Sequence, residues 1–294
     1  MIFKVILFFL LLYARYHYIA YRIFLRIKMG SKERRDTYLK NYVCCPWPPV
    51  YLFLPRRILG FLPERPYSIN GIKMILRKNS DDIFFIMPYL EKDVQSRLMI
   101  YKNETFVDVG ANIGVHSLKV AHDYKDKSVN IIAIEAHPET YHALLKNIEC
   151  NNFKNIRGIN KAVSDHKGTV TLYENREYDK ITGSSHLHHH LSSILNTFNE
   201  NSALQVECDT LDNILANNKV DVMKIDIEGA EVLALKGATN TLKKLRKIIV
   251  EIHGNNFEQV KHILENHGLE LEIIGGTKSF DDKRISIGYI IGSK

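Results

Sequence analysis

From Thr105 onward, apolar runs of strand length alternate with stretches of helical period, and few folds accept that alternation. TFVDV (105–109) reads as a buried strand, and a helix follows over 113–124. NIIAIE (130–135) reads as a second strand. The helix after it, 138–150, puts Tyr141, Leu144, Leu145 and Ile148 on one face. Further strands are predicted near 156–163, at TVTLY (169–173), at VDVMKID (220–226), at KIIVEIH (247–253), and near 269–274 and 285–291. Helices are predicted over 210–217, 229–236 and 256–267, and a long polar loop over 174–203. Parallel strands need long crossovers, and the intervening helices supply them. The pattern therefore predicts an α/β, Rossmann-like domain over 101–294, with a mainly parallel central sheet and helices on both faces.

The residues before it read differently. Prolines at 46, 48, 49, 55, 63 and 66 mark a connector, and Asn70-Gly71 is a hairpin signal between short strands within 67–87. Residues 41–100 are read as an accessory cap leading into the main domain. Residues 1–40 hold nine Lys/Arg and two Asp/Glu, an excess equal to the whole net charge of +7. The rest of the chain is neutral, so no nucleic-acid partner is indicated. Within the first segment, Val5 to Tyr13 is unbroken apolar sequence between Lys4 and Arg15. Nine residues fall short of the ~20 that span a bilayer. A signal peptide, a tilted anchor and an in-plane helix stay open, beside a helix packed on the domain. The segment is read as membrane-associating through residues 1–28. The basic cluster Arg22, Arg26, Lys28, Lys32, Arg34 and Arg35 would keep the catalytic body cytoplasmic. Four cysteines without metal-ligand spacing suit a reduced compartment. The oligomeric state is not encoded in any feature of the sequence.

The sharpest motif is VDVGANIG (107–114), at the turn from the first strand into its helix. Gly110 and Gly114 are read as letting the backbone approach a ligand, and the helix start offers free N–H groups. The spacing is G-x-x-x-G, so the pyrophosphate fingerprint of dinucleotide enzymes is absent. Asp108 would repel a pyrophosphate but suits the ammonium and sulfonium of S-adenosyl-L-methionine. Glu135 ends the second strand, where an acid accepts hydrogen bonds from ribose hydroxyls. Asn112 inside the loop and Ala136 after Glu135 complete the cofactor candidates read from this region.

A second constellation lies further on. KIDIEGAE (224–231) ends the fourth strand of the alternating series and EIH (251–253) ends the fifth. Adjacent strand ends open on one crevice, which brings Asp226, Glu228, Glu251 and His253 together. Asp226 or His253 is the candidate base for an acceptor hydroxyl, with Glu251 beside them. A divalent ion among these oxygens and His253 is the lesser reading, and no metal is assigned. Glu228 as a helix cap and Glu251 as a mere partner of Lys224 is the bland alternative. His186, His188, His189 and His190 are read as part of a solvated loop or substrate lid.

VDVGANIG, IEAHP (134–138), NKAVSD (160–165), DTLD (209–212), KIDIEGAE and VEIH occur in that order. Together they resemble the FkbM-type methyltransferase family, over about residues 80–275. The resemblance implies a class I methyltransferase fold and O-methylation of hydroxyls on natural products or sugars. It also implies that Ala162 and Val163 lie by the adenine and that Asp226 sits at the methyl-transfer site. With the membrane segment, the reading is an S-adenosyl-L-methionine-dependent O-methyltransferase acting on a sugar, glycan or glycolipid. A nicotinamide oxidoreductase and a non-catalytic membrane-bound scaffold are the competing readings.

Overall fold

The computed structural model describes residues 66–77, 80, 82, 92–179, 184–193, 203–275 and 288–294. All belong to the unit Pro63–Lys294, one of two into which the chain divides. The membrane-associating segment and the proline-rich connector lie outside the described residues up to position 65.

The described chain opens with a hairpin, β1 (Pro66–Ile69) and β2 (Ile72–Ile75), turned by Asn70 and Gly71 at φ 49° and 86°. Two left-handed residues give the turn a twist that matches the strands, as Asn-Gly predicts. A short helix α1 (Lys92–Arg97) precedes β3 (Thr105–Val109). Then come α2 (Val115–Asp123), β4 (Asn130–Glu135), α3 (Pro138–Cys150) and β5 (Ile156–Asn160). The strands β6 (Ala162–Val163), β7 (Gly168–Asp179), β8 (Ser184–Ser193) and β9 (Ala203–Asp209) form a separate group. Helix α4 (Leu211–Ile214) leads to β10 (Val222–Ile225), α5 (Glu231–Lys236) and α6 (Thr239–Lys244). The chain ends with β11 (Lys247–Ile252), α7 (Phe257–Asn266), β12 (Glu270–Gly275) and β13 (Gly288–Ser293).

Seven strands form the central sheet in the order β12-β13-β11-β10-β3-β4-β5. The run from β11 to β5 is parallel throughout, and β13 is antiparallel to both its neighbours. This is the class I methyltransferase arrangement, and the predicted fold class holds. Strand side chains alternate between two apolar layers. Val107, Val109, Met223, Ile225, Ile248 and Val250 pack with Leu235, Leu242, Val260 and Leu264 on one face. Phe106, Ile131, Val222 and Ile249 pack with Val94, Leu98 and Val120 on the other. The hairpin docks on α3, where the amide oxygens of Asn147 and Asn151 accept from Ile75 N (2.7 Å) and Lys73 N (2.8 Å). Met74 and Leu76 share a cluster there with Leu144 and Ile148.

Two expectations fail. Residues 174–203 are not a continuous loop, because β7 runs on to Asp179 and pairs with β8, the strand that carries the four histidines. Backbone pairing builds this arm, and its polar sequence gives no period-2 hydrophobic signal. The strand predicted over 156–163 is two strands, for β6 leaves the central sheet and joins a four-stranded sheet ordered β6-β9-β7-β8. The two motif glycines also have a packing role. A Cβ on Gly110 would overlap the carbonyl oxygen of Asp226, and one on Gly114 would stand 2.6 Å from Leu144 Cδ1. Both glycines therefore admit other parts of the chain, whatever room they also leave for a ligand.

Gly110→Ala should lose ~2–5 kcal/mol in urea unfolding, from ~1–2 for the left-handed backbone and ~1–3 for the forced overlap. Gly254 has φ 64°, and a methyl group added to it would meet nothing within 4 Å. Gly254→Ala should therefore lose only the backbone part, ~1 kcal/mol. Equal losses in the two variants would show that the close approach to Asp226 is not the constraint.

Candidate functional site

The glycine turn alternates left-handed residues, with φ 81° at Gly110, 51° at Asn112 and 95° at Gly114. Gly110 N and Ala111 N both donate to Ile134 O at 2.9 Å, which ties the turn to the end of β4. Gly114 is the N-cap of α2, with no capping side chain and no acid in the first turn. Helix-start N–H groups are thus left to other acceptors. Asp108 is fully buried in β3. Its Oδ2 accepts from Ser117 Oγ at 2.7 Å. Its Oδ1 has no hydrogen-bond partner among the described residues, nor has Asn112 Oδ1. Burying an acceptor without a donor is costly, so both atoms suit a ligand that brings N–H or O–H groups. The ammonium and hydroxyls of S-adenosyl-L-methionine meet that description.

Glu135 is held from two sides. Its Oε2 accepts from Asn112 N and its Oε1 from His137 N, each at 2.9 Å. Burial pushes its carboxyl above the usual range, against the pull of those two backbone donors. A carboxylate accepts about four hydrogen bonds, so two backbone donors leave room for hydroxyls. His137 caps α3, and Asn160 Nδ2 donates to the carbonyls of Glu135 and Ala136. Ala136 packs on the cluster that contains Ala162, while Val163 belongs to the main core. Both β6 residues are buried, close to the end of β4.

The second constellation also assembles. Asp226 and Glu228 follow β10, and Glu251 and His253 lie at the end of its parallel neighbour β11. Three carboxylates ring His253 Nε2: Glu228 Oε2 at 3.5 Å, Glu251 Oε1 at 3.9 Å and Asp226 Oδ1 at 4.0 Å. His253 Nδ1 lies 2.9 Å from Oε1 of Glu231, which is fully buried. Burial opposes a proton on this ring, but the bond to Glu231 and the charges of Glu228, Asp226 and Glu231 prevail, raising its pKa to about 9. The cluster therefore favours the protonated form of the ring. Lys224 is almost fully buried and gives its Nζ to Asp226 Oδ2 at 2.8 Å. In register it stands beside Asp108 on the neighbouring strand. The N-cap of α5 is Ala230, and the Gly229 N–H goes to Glu231 Oε1, so the alternative reading of Glu228 as the helix cap does not hold. Glu228 itself sits at φ 52°, a strained conformation for a glutamate.

Sequence reasoning missed Glu231 and Asn256. Asn256 Nδ2 donates to Glu231 Oε2 at 2.8 Å and to Gly229 O at 2.7 Å, so the two residues clamp the turn behind His253. An acid in a first helical turn reads as an ordinary dipole partner, which hid it. Arg77 was missed as well. It pairs with the buried Asp82 and donates from Nη1 to Thr140 Oγ1 at 2.8 Å, beside the start of α3.

The family model for the methyltransferase FkbM domain matches residues 108–274. Among characterised proteins, the chain is 26% identical over 204 residues to the hexuronic acid methyltransferase AglP of Haloferax volcanii, covering 67% of this chain and 76% of that one. It is 24% identical over 185 residues to Methyltransferase 1 of Beauveria bassiana, covering 57% of this chain and 72% of that one. Among solved structures, methyltransferase FkbM from Methylobacillus flagellatus overlaps with a TM-score of 0.46 at 18% identity, covering 67% of this chain and 46% of that one. None of these relatives supports the nicotinamide or the scaffold reading.

The proton on His253 links stability to pH. Its folded pKa of about 9 stands above the ordinary 6.5, so its contribution is complete below ~6.5 and disappears as pH rises through ~9. In thermal unfolding in metal-free buffer, the wild type should lose Tm between pH 7 and 9.5 more steeply than His253→Gln. Parallel pH profiles would rule out the carboxylate cage as the holder of this proton.

Proposed function

The chain belongs to the FkbM methyltransferase family, an S-adenosyl-L-methionine-dependent family, and from that premise we propose that it transfers the methyl group to a hydroxyl oxygen of a sugar, glycan or glycolipid. The observation that carries the reading is the close approach of Gly110 to the carbonyl of Asp226. It sets the acidic cluster directly against the cofactor turn. An acceptor-rich cluster suits a polyol, whose hydroxyls all donate. The similarity to a hexuronic acid methyltransferase supports a sugar acceptor.

S-adenosyl-L-methionine supplies an electrophilic methyl group on a sulfonium. Everything else falls to residues of this chain. Asp108 Oδ1 takes the ammonium, the start of α2 takes the carboxylate, and Glu135 takes ribose hydroxyls. Ala136, Ala162 and Val163 give the adenine an apolar wall. Methyl transfer is an in-line displacement, so positioning dominates. Asp226, beside the turn, orients the acceptor hydroxyl and takes its proton. The apolar, basic segment 1–28 supports work at a membrane surface, with the catalytic domain on the cytoplasmic side. Among the described residues no helix is long and apolar enough to cross a membrane.

Calorimetric titration with S-adenosylhomocysteine, and with NAD alongside, tests the cofactor site. The first should bind and the second should not. Asp108→Ala and Glu135→Ala should each weaken binding by ~1.5–3 kcal/mol, the worth of hydrogen bonds to a charged group. Unchanged affinity in both would remove these residues from the site. Asp226→Ala should keep S-adenosylhomocysteine affinity and lose turnover on hydroxylated glycan acceptors; retained turnover would exclude it as the essential base.

A further inference from the structure

The spacing of the carboxylates around His253 points further than a protonated ring. One ligand atom each from Asp226, Glu251 and His253 lies within 4.8 Å of the others. The carboxylate oxygens stand 3.5–4.0 Å from Nε2. That is at or beyond the limit of a hydrogen bond. It is also the spacing of ligands that share one ion, since ligands held at ~2.0–2.2 Å are separated by up to ~4.4 Å. We propose that Asp226, Glu251 and His253 bind a divalent cation of the manganese and magnesium class, with Glu228 beside the site.

Three features support it. His253 Nδ1 is tied to a buried carboxylate, Glu231, which itself takes the Gly229 N–H and the Asn256 amide. Such an outer carboxylate fixes a ligating histidine and aims its other nitrogen at the ion, here into the cluster. The ligands come from the adjacent ends of β10 and β11, a rigid support. Lys224 occupies only Oδ2 of Asp226, and Oδ1 faces His253. An oxygen-rich set with one imidazole selects a hard to borderline divalent ion.

The ion's use in catalysis rests on the methyltransferase reading; its binding does not. With the ion in place of the proton at Nε2, the acceptor hydroxyl completes the coordination and becomes more acidic. With Asp226 engaged as a ligand, the base role passes from it to Glu228, which takes the hydroxyl proton. The oxygen lone pair forms the new bond to the methyl carbon, the carbon–sulfur bond breaks with its electron pair to sulfur, and a neutral thioether leaves.

The test titrates Mn2+ alone into the full chain, after chelator treatment, by calorimetry and by the manganese paramagnetic resonance signal. S-adenosylhomocysteine is titrated into the same samples. One Mn2+ per chain should bind. Glu251→Gln and Asp226→Asn should each weaken Mn2+ by tenfold or more, and Glu231→Gln by ~10–100-fold, as outer partners do. Asp108→Ala should weaken S-adenosylhomocysteine and leave Mn2+ unchanged. If S-adenosylhomocysteine binds and Mn2+ does not, the metal site is overturned and the methyltransferase reading stands. Mn2+ affinity equal to wild type in whichever of the three carboxylate variants fold overturns it too. Failure of both ligands to bind folded protein removes both readings.

Discussion

The backbone of Asp226 occupies the space in which a side chain at residue 110 would begin. Much follows from that single steric fact. It requires a left-handed glycine after β3, and so defines the turn that the cofactor meets. It also sets the distance between that turn and the end of β10, and through β10 the position of every group on β11. On the proposed reading of the site, holding a methyl donor and preparing an acceptor are thereby fixed to one another by main-chain packing. No flexible side chain mediates the relation, and precision of this kind is what an in-line displacement needs.

Charge is arranged with the same economy. A parallel sheet covered on both faces normally carries near-continuous apolar strands. Here Asp108 and Lys224 stand side by side in β3 and β10, both buried. Neither is tolerable alone in such surroundings. Lys224 compensates Asp226 directly, and the acids beyond it gather around His253. Around these charges the strands keep their Val, Ile and Met layers.

The sequence made visible whatever repeats with a period. Val107 and Val109 on one face and Phe106 on the other, or Val260 and Leu264 on α7, announce strand and helix directly. The grouping of Asp226, Glu228, Glu251 and His253 was legible too, because parallel neighbours end at one edge. Hidden parts lack such a signal. Helix α6 has Leu242 as its one large apolar residue, β8 has only two apolar residues in ten, and β6 is two residues long. Glu231 looks like any acid in a first turn, and the charge state of His253 depends on carboxylates brought to it from the turn between β10 and α5. Arg77 reaches Thr140 across 63 positions of chain, a pairing no local pattern encodes.

The docking of the hairpin has a consequence in time. Its strands leave the ribosome well before Asn147 and Asn151, which lie 72 and 78 positions beyond their backbone partners. Two paired strands alone are at best marginally stable in water. The first piece of this unit to be synthesised is therefore among the last to settle, waiting for α3 to be laid against the growing sheet. Loops of that length are closed slowly, and the late step brings the Arg77 charge within reach of Glu135. Completion of the proposed cofactor side of the site is then a late event of folding, and a nascent chain halted before α3 has the hairpin without the Asn147 and Asn151 side chains that hold its backbone.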